Sequence, residues 1–201
     1  MSSYRFLAPL AAAAIFVLSS CSSGTPPNQY KVKLETTKGD IVIEVNRDWS
    51  PLGADRFHEL VTSGYYDANR FFRVLPRFVV QFGLHGDPSV NNKWSDARLQ
   101  DDPPSQSNVA GTVTFATAGP NTRTTQVFIN LMDNRQLDAM GFTPFGRIVE
   151  GMNVVNELFS GYGEGAPAGP GPDQQRIKAE GNAYLQQVFP NLDYIKKASV
   201  L

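Results

Sequence analysis

The strongest constraint on the fold is a series of short apolar runs between residues 70 and 149. Each run is too short to form a stable helix by itself, and loops rich in Gly, Pro, Asn and Asp, which favour turns, separate it from the next. The runs cover residues 70–75, 78–82, 113–116, 127–130 and 145–149. This pattern predicts a protein built mainly from short strands.

The residues before these runs predict a hairpin and a helix. Apolar residues alternate over residues 30–36 and 41–45, and a Lys-Gly-Asp turn at residues 38–40 joins the two segments. A helix is expected to start at Pro51, with Ser50 as its N-cap. Many short strands with two or three helices predict a closed, mostly antiparallel barrel that is capped by helices.

The C-terminal third of the chain has a different pattern. A second helix is expected over residues 151–159, followed by a Gly/Pro loop at residues 161–172. Its Gly-Tyr-Gly-Glu-Gly sequence lacks the Lys-Ser/Thr of a phosphate-binding loop, so it is interpreted as a plain connection. The amphipathic stretch over residues 181–201, which Pro190 interrupts, is interpreted as a helical extension.

Composition narrows the possible functions. The 201 residues are 41% hydrophobic, which suffices for a real core, and the formal net charge of −1 argues against nucleic acid as a partner. One cysteine and two histidines are too few for a Cys/His metal site, and a site built from carboxylates stays formally possible. Asp101 and Asp102 lack the spacing of an EF-hand and are interpreted as part of a solvated loop.

The first 21 residues are typical of a secretion signal that ends in a lipid attachment site. Arg5 supplies a positive charge, and the apolar run over residues 6–18 is too short to span a bilayer comfortably. The Leu-Ser-Ser-Cys sequence that ends at Cys21 resembles the lipobox of bacterial lipoproteins, in which the cysteine is diacylated and the signal is cut before it. A generic secretory signal with a chance cysteine is the alternative.

This signal divides the chain into three predicted parts. Residues 1–21 are the signal peptide with its lipobox, residues 22–29 are a flexible tether, and residues 30–201 form the folded domain. A lipid anchor at Cys21 makes the membrane a partner and places the domain in the bacterial cell envelope, facing the periplasm or the exterior. The residue after the cysteine is Ser22, whereas an Asp at that position favours retention in the inner membrane of some bacteria. The anchor is therefore slightly more expected in the outer membrane.

Two segments, residues 71–83 and 115–130, carry the side chains from which chemistry is predicted. Arg73 lies in an apolar run, where a guanidinium needs a partner or a task. The amide of Gln81 could orient that guanidinium, and Pro76 predicts a bend between the two residues.

Structural roles are the alternative for the same residues. Arg73 could pair with a carboxylate and have no catalytic task. Phe78, Val79 and Phe128 could line a pocket that fits a proline ring, or the two phenylalanines could be plain core.

Both segments resemble the signature segments of cyclophilins, a family of peptidyl-prolyl isomerases. The first reads F-F-R-V-L-P-R-F-V-V-Q-F-G and the second F-A-T-A-G-P-N-T-R-T-T-Q-V-F-I-N. Leu137-Asp138 and the P-F-G-R-I-V-E-G-M sequence at residues 144–152 extend the resemblance to residues 30–159. It implies a closed antiparallel barrel of eight strands that two helices cap, here with a C-terminal helical extension.

The resemblance also implies roles for individual residues. Arg73 is the main catalytic side chain, Gln81 orients it and Phe78 belongs to the proline pocket. The substrate-binding residues are Val79, Ala116, Thr117, Gln126, Phe128, Leu137 and Phe142. The backbone N–H of Thr117 would hold the carbonyl that precedes proline. The expected partners are proline-containing polypeptides, and the chain is expected to act as a monomer without metal or cofactor.

Two of the departures from the family pattern keep other functions open. Phe72 stands where many cyclophilins carry His, and Gln136 where many carry Trp. A prolyl isomerase for envelope or secreted proteins is the first hypothesis. A catalytically weak module or holdase that binds proline-containing segments is the second, and a barrel that carries an apolar ligand is the third.

Overall fold

The computed structural model describes Met1 and residues 25–201. The predicted signal peptide, Cys21 and the first part of the predicted tether therefore lie outside the described residues. No helix within residues 25–201 has both the length and the apolar character needed to cross a membrane.

Within the part of the chain that the structure describes, eight strands form one antiparallel sheet. The strands are β1 (Gln29–Thr36), β2 (Asp40–Asn46), β3 (Arg73–Val74), β4 (Val79–Phe82), β5 (Thr112–Phe115), β6 (Val127–Asn130), β7 (Pro144–Glu150) and β8 (Ile195–Val200). Their order across the sheet is β3-β4-β6-β5-β7-β2-β1-β8. The predicted first hairpin is confirmed, since Glu35 of β1 lies opposite Asp40 of β2. The predicted mostly β fold with eight strands is also confirmed.

The prediction of a closed barrel is wrong. β3 and β8 are the two outer strands of the curled sheet, and no ladder joins them. Only an isolated bridge between Arg70 and Tyr194 connects the chain near these strands. The reason is local, because the chain turns back directly after the two residues of β3, where Phe78 donates to the Leu75 carbonyl. So short a strand has too few backbone groups to close the sheet.

Within residues 25–201, four α-helices and one 3₁₀ helix accompany the sheet, whereas two capping helices and a C-terminal helical extension were predicted. They are α1 (Pro51–Thr62), α2 (Pro88–Trp94), α3 (Met152–Asn156), α4 (Gln174–Val188) and the 3₁₀ helix Arg135–Met140. Helix α1 packs its apolar face on the sheet, and the Phe57 ring lies 4.8 Å from that of Phe145. This contact belongs to the main core between α1 and the sheet.

The predicted C-terminal helical extension is only partly correct. Helix α4 begins at Gln174 and is kinked at Gly181, but residues 195–200 form strand β8 rather than a helix. β8 pairs with β1, and Ala198 lies opposite Leu34. The free edge of β1 offers a row of unpaired backbone groups, and satisfying them outweighs the weak helical pattern of this segment.

The start of α1 shows a role for Asp102 that the sequence did not indicate. Ser50 precedes the helix as predicted, but its hydroxyl makes no cap and donates to Asp102. Asp102 accepts the N–H groups of Leu52 at 3.1 Å and Gly53 at 3.0 Å, so it caps the helix from a distant loop. Its side chain is buried against Arg123, which corrects the prediction of a solvated position.

Candidate active site

Three neighbouring strands place the predicted catalytic residues in one row. Arg73 of β3 lies directly opposite Gln81 of β4, and Gln81 lies opposite Phe128 of β6. Directly opposite residues in antiparallel strands point to the same face of the sheet, so the three side chains share one face. The neighbouring residues Val80 and Phe82 point to the other face, into the main core. The turn at Pro76, which agrees with the predicted bend, makes this row possible.

A chain of hydrogen bonds links the polar members of the site. Arg73 Nη1 donates to Gln81 Oε1 at 3.1 Å, and Gln81 Nε2 donates to Gln126 Oε1 at 2.9 Å. Gln81 is buried, so its amide is held from both sides and has little freedom to turn. The predicted orienting contact between Gln81 and Arg73 is therefore present.

An apolar cavity of about 280 Å³ lies beside this chain. Its floor is a small cluster of the buried residues Val79, Phe128 and Leu137. The rings of Phe128 and Phe142 meet edge to face at 5.6 Å. The residues that line the cavity are Arg73, Phe78, Val79, Gln81, Ala116, Thr117, Phe128, Leu137, Met140 and Phe142. The structure thus brings together nine of the ten predicted site residues, and Met140 is an addition.

The tenth residue, Gln126, lies in an adjoining polar cavity of about 420 Å³. Gln81, Ala116 and Thr117 line both cavities, so the two form one continuous groove. Arg98 and Lys178 add positive charge to the polar part. Sequence analysis missed both residues, because neither lies in a segment that resembles the family signatures.

The backbone at Thr117 has an unused donor. The Ala116 N–H donates to the Gln126 carbonyl and the Ala118 N–H donates to Thr122 Oγ1, but within residues 25–201 the Thr117 N–H has no acceptor. It lies at the wall shared by the two cavities, where a peptide carbonyl from a bound segment could accept it.

Arg73 has a second partner, a carboxylate, as the structural alternative for this residue expected, although the sequence did not indicate which one. Its Nε donates to Glu164 Oε1 at 2.6 Å and its Nη2 donates to Glu164 Oε2 at 2.7 Å. Hydrogen bonding from Arg73 lowers the pKa of Glu164, so this carboxylate is ionised at neutral pH. The two residues are 91 positions apart, and local sequence cannot show such a contact. The loop at residues 161–172, interpreted as a plain connection, carries this carboxylate to the site.

The departure at Phe72 has a structural explanation. Its side chain is buried in a second cluster, built largely by α4 and the residues after it. The other buried members are Leu84, Ile177, Tyr184, Leu185, Phe189 and Leu192. An apolar side chain is therefore favoured at this position because the C-terminal segment covers it. Gln136, the second departure, is exposed on the 3₁₀ helix.

The protein is defined by a curled antiparallel sheet with a groove across β3, β4 and β6. Comparison with known protein families identifies the class to which it belongs. The model of the family described as cyclophilin type peptidyl-prolyl cis-trans isomerase matches residues 31–178. The chain therefore belongs to the cyclophilin family of peptidyl-prolyl cis-trans isomerases, and it is an enzyme of that type.

Named relatives agree with this assignment. The peptidyl-prolyl cis-trans isomerase-like 1 of Homo sapiens is 34% identical over 141 residues, which are 68% of this chain and 81% of the relative. The peptidyl-prolyl cis-trans isomerase of Acinetobacter baylyi is 32% identical over 63% of this chain and 70% of its own. A crystal structure of a Cryptosporidium parvum cyclophilin shares the fold, with a TM-score of 0.63 at 22% identity over 86% of this chain and 98% of that chain.

Proposed function

We propose that this enzyme assists the folding of envelope or secreted proteins, and that Arg73 lowers the barrier to X-Pro rotation by donating a hydrogen bond to the prolyl nitrogen. The observation that carries the proposal is the position of Arg73. Its guanidinium lies at the wall of an apolar cavity and is held by Gln81.

The chemistry follows from the electronic structure of the amide. The barrier of about 18–20 kcal/mol is mainly lost resonance, and uncatalysed X-Pro isomerisation takes tens to hundreds of seconds. In the twisted transition state the prolyl nitrogen becomes pyramidal and gains a lone pair. A donor aimed at that lone pair stabilises the transition state more than the planar ground state, which is the requirement for catalysis. Arg73 can act in this way without changing its protonation.

The groove supplies the other requirements of the reaction. Phe78, Val79, Phe128, Leu137 and Phe142 give the proline ring an apolar site. The Thr117 N–H would hold the carbonyl before proline while the amide rotates. Ala116 and Gln126 would border the substrate residues that precede the proline, in the polar part of the groove. In this proposal the substrates are proline-containing polypeptides and the protein acts as a monomer.

The proposed location rests on the N-terminal sequence. The apolar run that ends in Leu-Ser-Ser-Cys supports cleavage before Cys21 and a lipid anchor at that residue. Several acyl chains, at about 0.8 kcal/mol per buried methylene, would hold the protein stably in a membrane. Residues 22–29 would then tether the domain, residues 30–201, to the surface of a bacterial envelope membrane, and Ser22 after the cysteine favours the outer membrane.

One observation favours the second candidate function, a binding module with weak catalysis. Glu164 occupies two of the five N–H groups of Arg73 and neutralises its charge. If this pair prevents the guanidinium from reaching a substrate, the groove would bind proline-containing segments and turn them over slowly.

Exchange NMR on a short X-Pro peptide tests the proposal with the purified full-length protein. We expect the wild type to accelerate cis–trans exchange and Arg73→Ala to lose most of that acceleration. Arg147→Ala is the matched control, because Arg147 is an exposed arginine paired with Glu44 that lines neither cavity. If the wild type is folded and binds the peptide without accelerating exchange, the binding module is the better description.

A further inference from the structure

We infer that Glu164 is a positioning residue for catalysis, which acts by holding the guanidinium of Arg73 in its productive orientation. The inference rests on the proposed function, since it assumes that Arg73 is the catalytic donor. It adds a residue from a loop that lies outside the segments of the family resemblance.

The first argument is the geometry of the guanidinium. Glu164 accepts the Nε and Nη2 hydrogens of Arg73 at 2.6 and 2.7 Å, and Gln81 accepts from Nη1 at 3.1 Å. These three bonds hold both edges of a planar group, so its position and its tilt are both restrained. An arginine has five N–H groups, so one hydrogen on each Nη remains without a partner within residues 25–201.

The second argument is that the carboxylate is itself held. Glu164 Oε1 also accepts the Gly165 N–H at 2.9 Å, and the Glu164 carbonyl accepts the Gly171 N–H at 2.8 Å. A Cβ at Gly169 would lie 2.5 Å from the Glu164 carbonyl oxygen, and one at Gly171 would lie 2.7 Å from it. The glycines of this loop therefore allow the backbone to fold closely around Glu164.

The third argument is the way in which the loop is attached to the rest of the domain. Phe72, the residue before Arg73, is buried in the same cluster as Ile177 of α4, and Tyr162 of the loop packs against that cluster. The residue before β3 thus rests on a cluster that α4 and the preceding loop help to build, and that loop supplies the carboxylate. The burial of Phe72 and the ion pair between Arg73 and Glu164 therefore both join this edge of the sheet to the same region of the chain.

Positioning should show itself in the rate of the chemical step rather than in binding. The apolar cavity that would hold the proline ring does not include Glu164, so its loss should leave KM almost unchanged. A donor that is free to swing is misaligned for part of the time, and misplacement by about 1 Å can reduce turnover by about a hundredfold. We therefore expect Glu164→Ala to lower kcat by about ten- to a hundredfold while KM changes by less than about twofold.

Exchange NMR at several peptide concentrations, with the full-length protein, tests this expectation. Glu164→Gln keeps the size of the side chain but not its charge, and should also lose kcat. Glu164→Asp should recover part of it. The matched control is Glu180→Ala, since Glu180 binds Arg176 through the same two-bond geometry, at 2.7 and 3.0 Å, on the exposed side of α4.

A spectroscopic signal separates positioning from a general loss of structure. The Nε–H resonance of Arg73 should be shifted and protected in the wild type and in the Glu180→Ala control, and lost in Glu164→Ala. Thermal unfolding shows whether each variant is folded. If Glu164→Ala does not fold, the same measurements on Glu164→Gln test the inference.

The outcomes separate this inference from the proposal beneath it. An unchanged or higher kcat in Glu164→Ala would overturn the inference, and so would a lower kcat with the Arg73 resonance intact. If Arg73→Ala itself keeps full activity, the catalytic role of Arg73 fails first. Loss of activity in Arg73→Ala but not in the Glu164 variants would leave the proposed function standing and the positioning role refuted.

Discussion

Arg73 and Gln81 face each other across the hairpin of β3 and β4, and a hydrogen bond of 3.1 Å joins Nη1 of the arginine to Oε1 of the glutamine. The glutamine in turn donates to Gln126. The orientation of the arginine is therefore connected to the wall of the polar cavity, and a change at either glutamine should alter catalysis.

The first prediction concerns Gln81. Gln81→Ala removes the acceptor for Arg73 Nη1, and we expect kcat/KM to fall by about tenfold, equivalent to about 1.4 kcal/mol of transition-state stabilisation. Exchange NMR on an X-Pro peptide measures it. Gln136→Ala, which changes an exposed glutamine of the 3₁₀ helix, should behave like the wild type. Equal activity in both variants would show that Gln81 does not orient Arg73.

The second prediction concerns the floor of the apolar cavity. Phe128 is buried and packs against Phe142, so Phe128→Ala should destabilise the protein by about 3 kcal/mol and raise KM severalfold. Urea unfolding and peptide titration measure the two effects. Phe128→Leu keeps most of the buried volume and should retain most of the stability. A lower kcat with KM unchanged in the alanine variant would argue against binding of the proline ring there.

The third prediction concerns the buried ion pair of Asp102 and Arg123, in which Arg123 Nη1 lies 3.1 Å from Asp102 Oδ2. Asp102→Asn leaves the guanidinium of Arg123 with only the partly exposed Asp101, at 3.4 Å, as a charged partner. We expect a loss of about 3 kcal/mol in the free energy of unfolding, the low end for breaking a buried pair. Chemical denaturation at pH 7 measures it, and Asp133→Asn, at an exposed pair, serves as the control. A loss of less than about 1 kcal/mol is what an ion pair at the surface contributes, and such a result would contradict the buried role.

The same pair predicts a dependence of stability on pH. Burial raises the pKa of Asp102, but hydrogen bonds from Ser50, Leu52 and Gly53 and the charge of Arg123 outweigh burial and hold it below the ordinary value. A depressed pKa in the folded state stabilises the protein above the unfolded pKa of about 4, and this contribution is lost as pH falls through the folded pKa. The unfolding free energy of the wild type should therefore decline in acid more steeply than that of Asp102→Asn.

The fourth prediction concerns the lipid anchor. In a bacterial host, metabolic labelling with an alkyne fatty acid should label the wild type, and Cys21→Ser should abolish the label and release the protein from the membrane fraction. Ser20→Ala, which keeps a small residue before the intact cysteine, should remain labelled and attached to the membrane. A labelled Cys21→Ser protein, or an unlabelled wild type in the soluble fraction, would contradict the lipobox.

The sequence determined much of the fold because short alternating segments carry their own signal. The hairpin at residues 30–45 and the start of α1 follow from local period and turn residues. These two features depend on near neighbours in the chain, so they could be predicted from it. The site residues were implied by the resemblance to the family, which named nine of the ten residues that line the apolar cavity.

Only the tertiary structure decided the features that depend on distant partners. The open sheet, strand β8 beside β1, the cap that Asp102 gives to α1 and the carboxylate that Glu164 gives to Arg73 each join residues far apart in sequence. No local sequence pattern identifies the distant partner of a strand edge or of a charged side chain. Its pairing is set by which groups remain unsatisfied once the rest of the chain has folded.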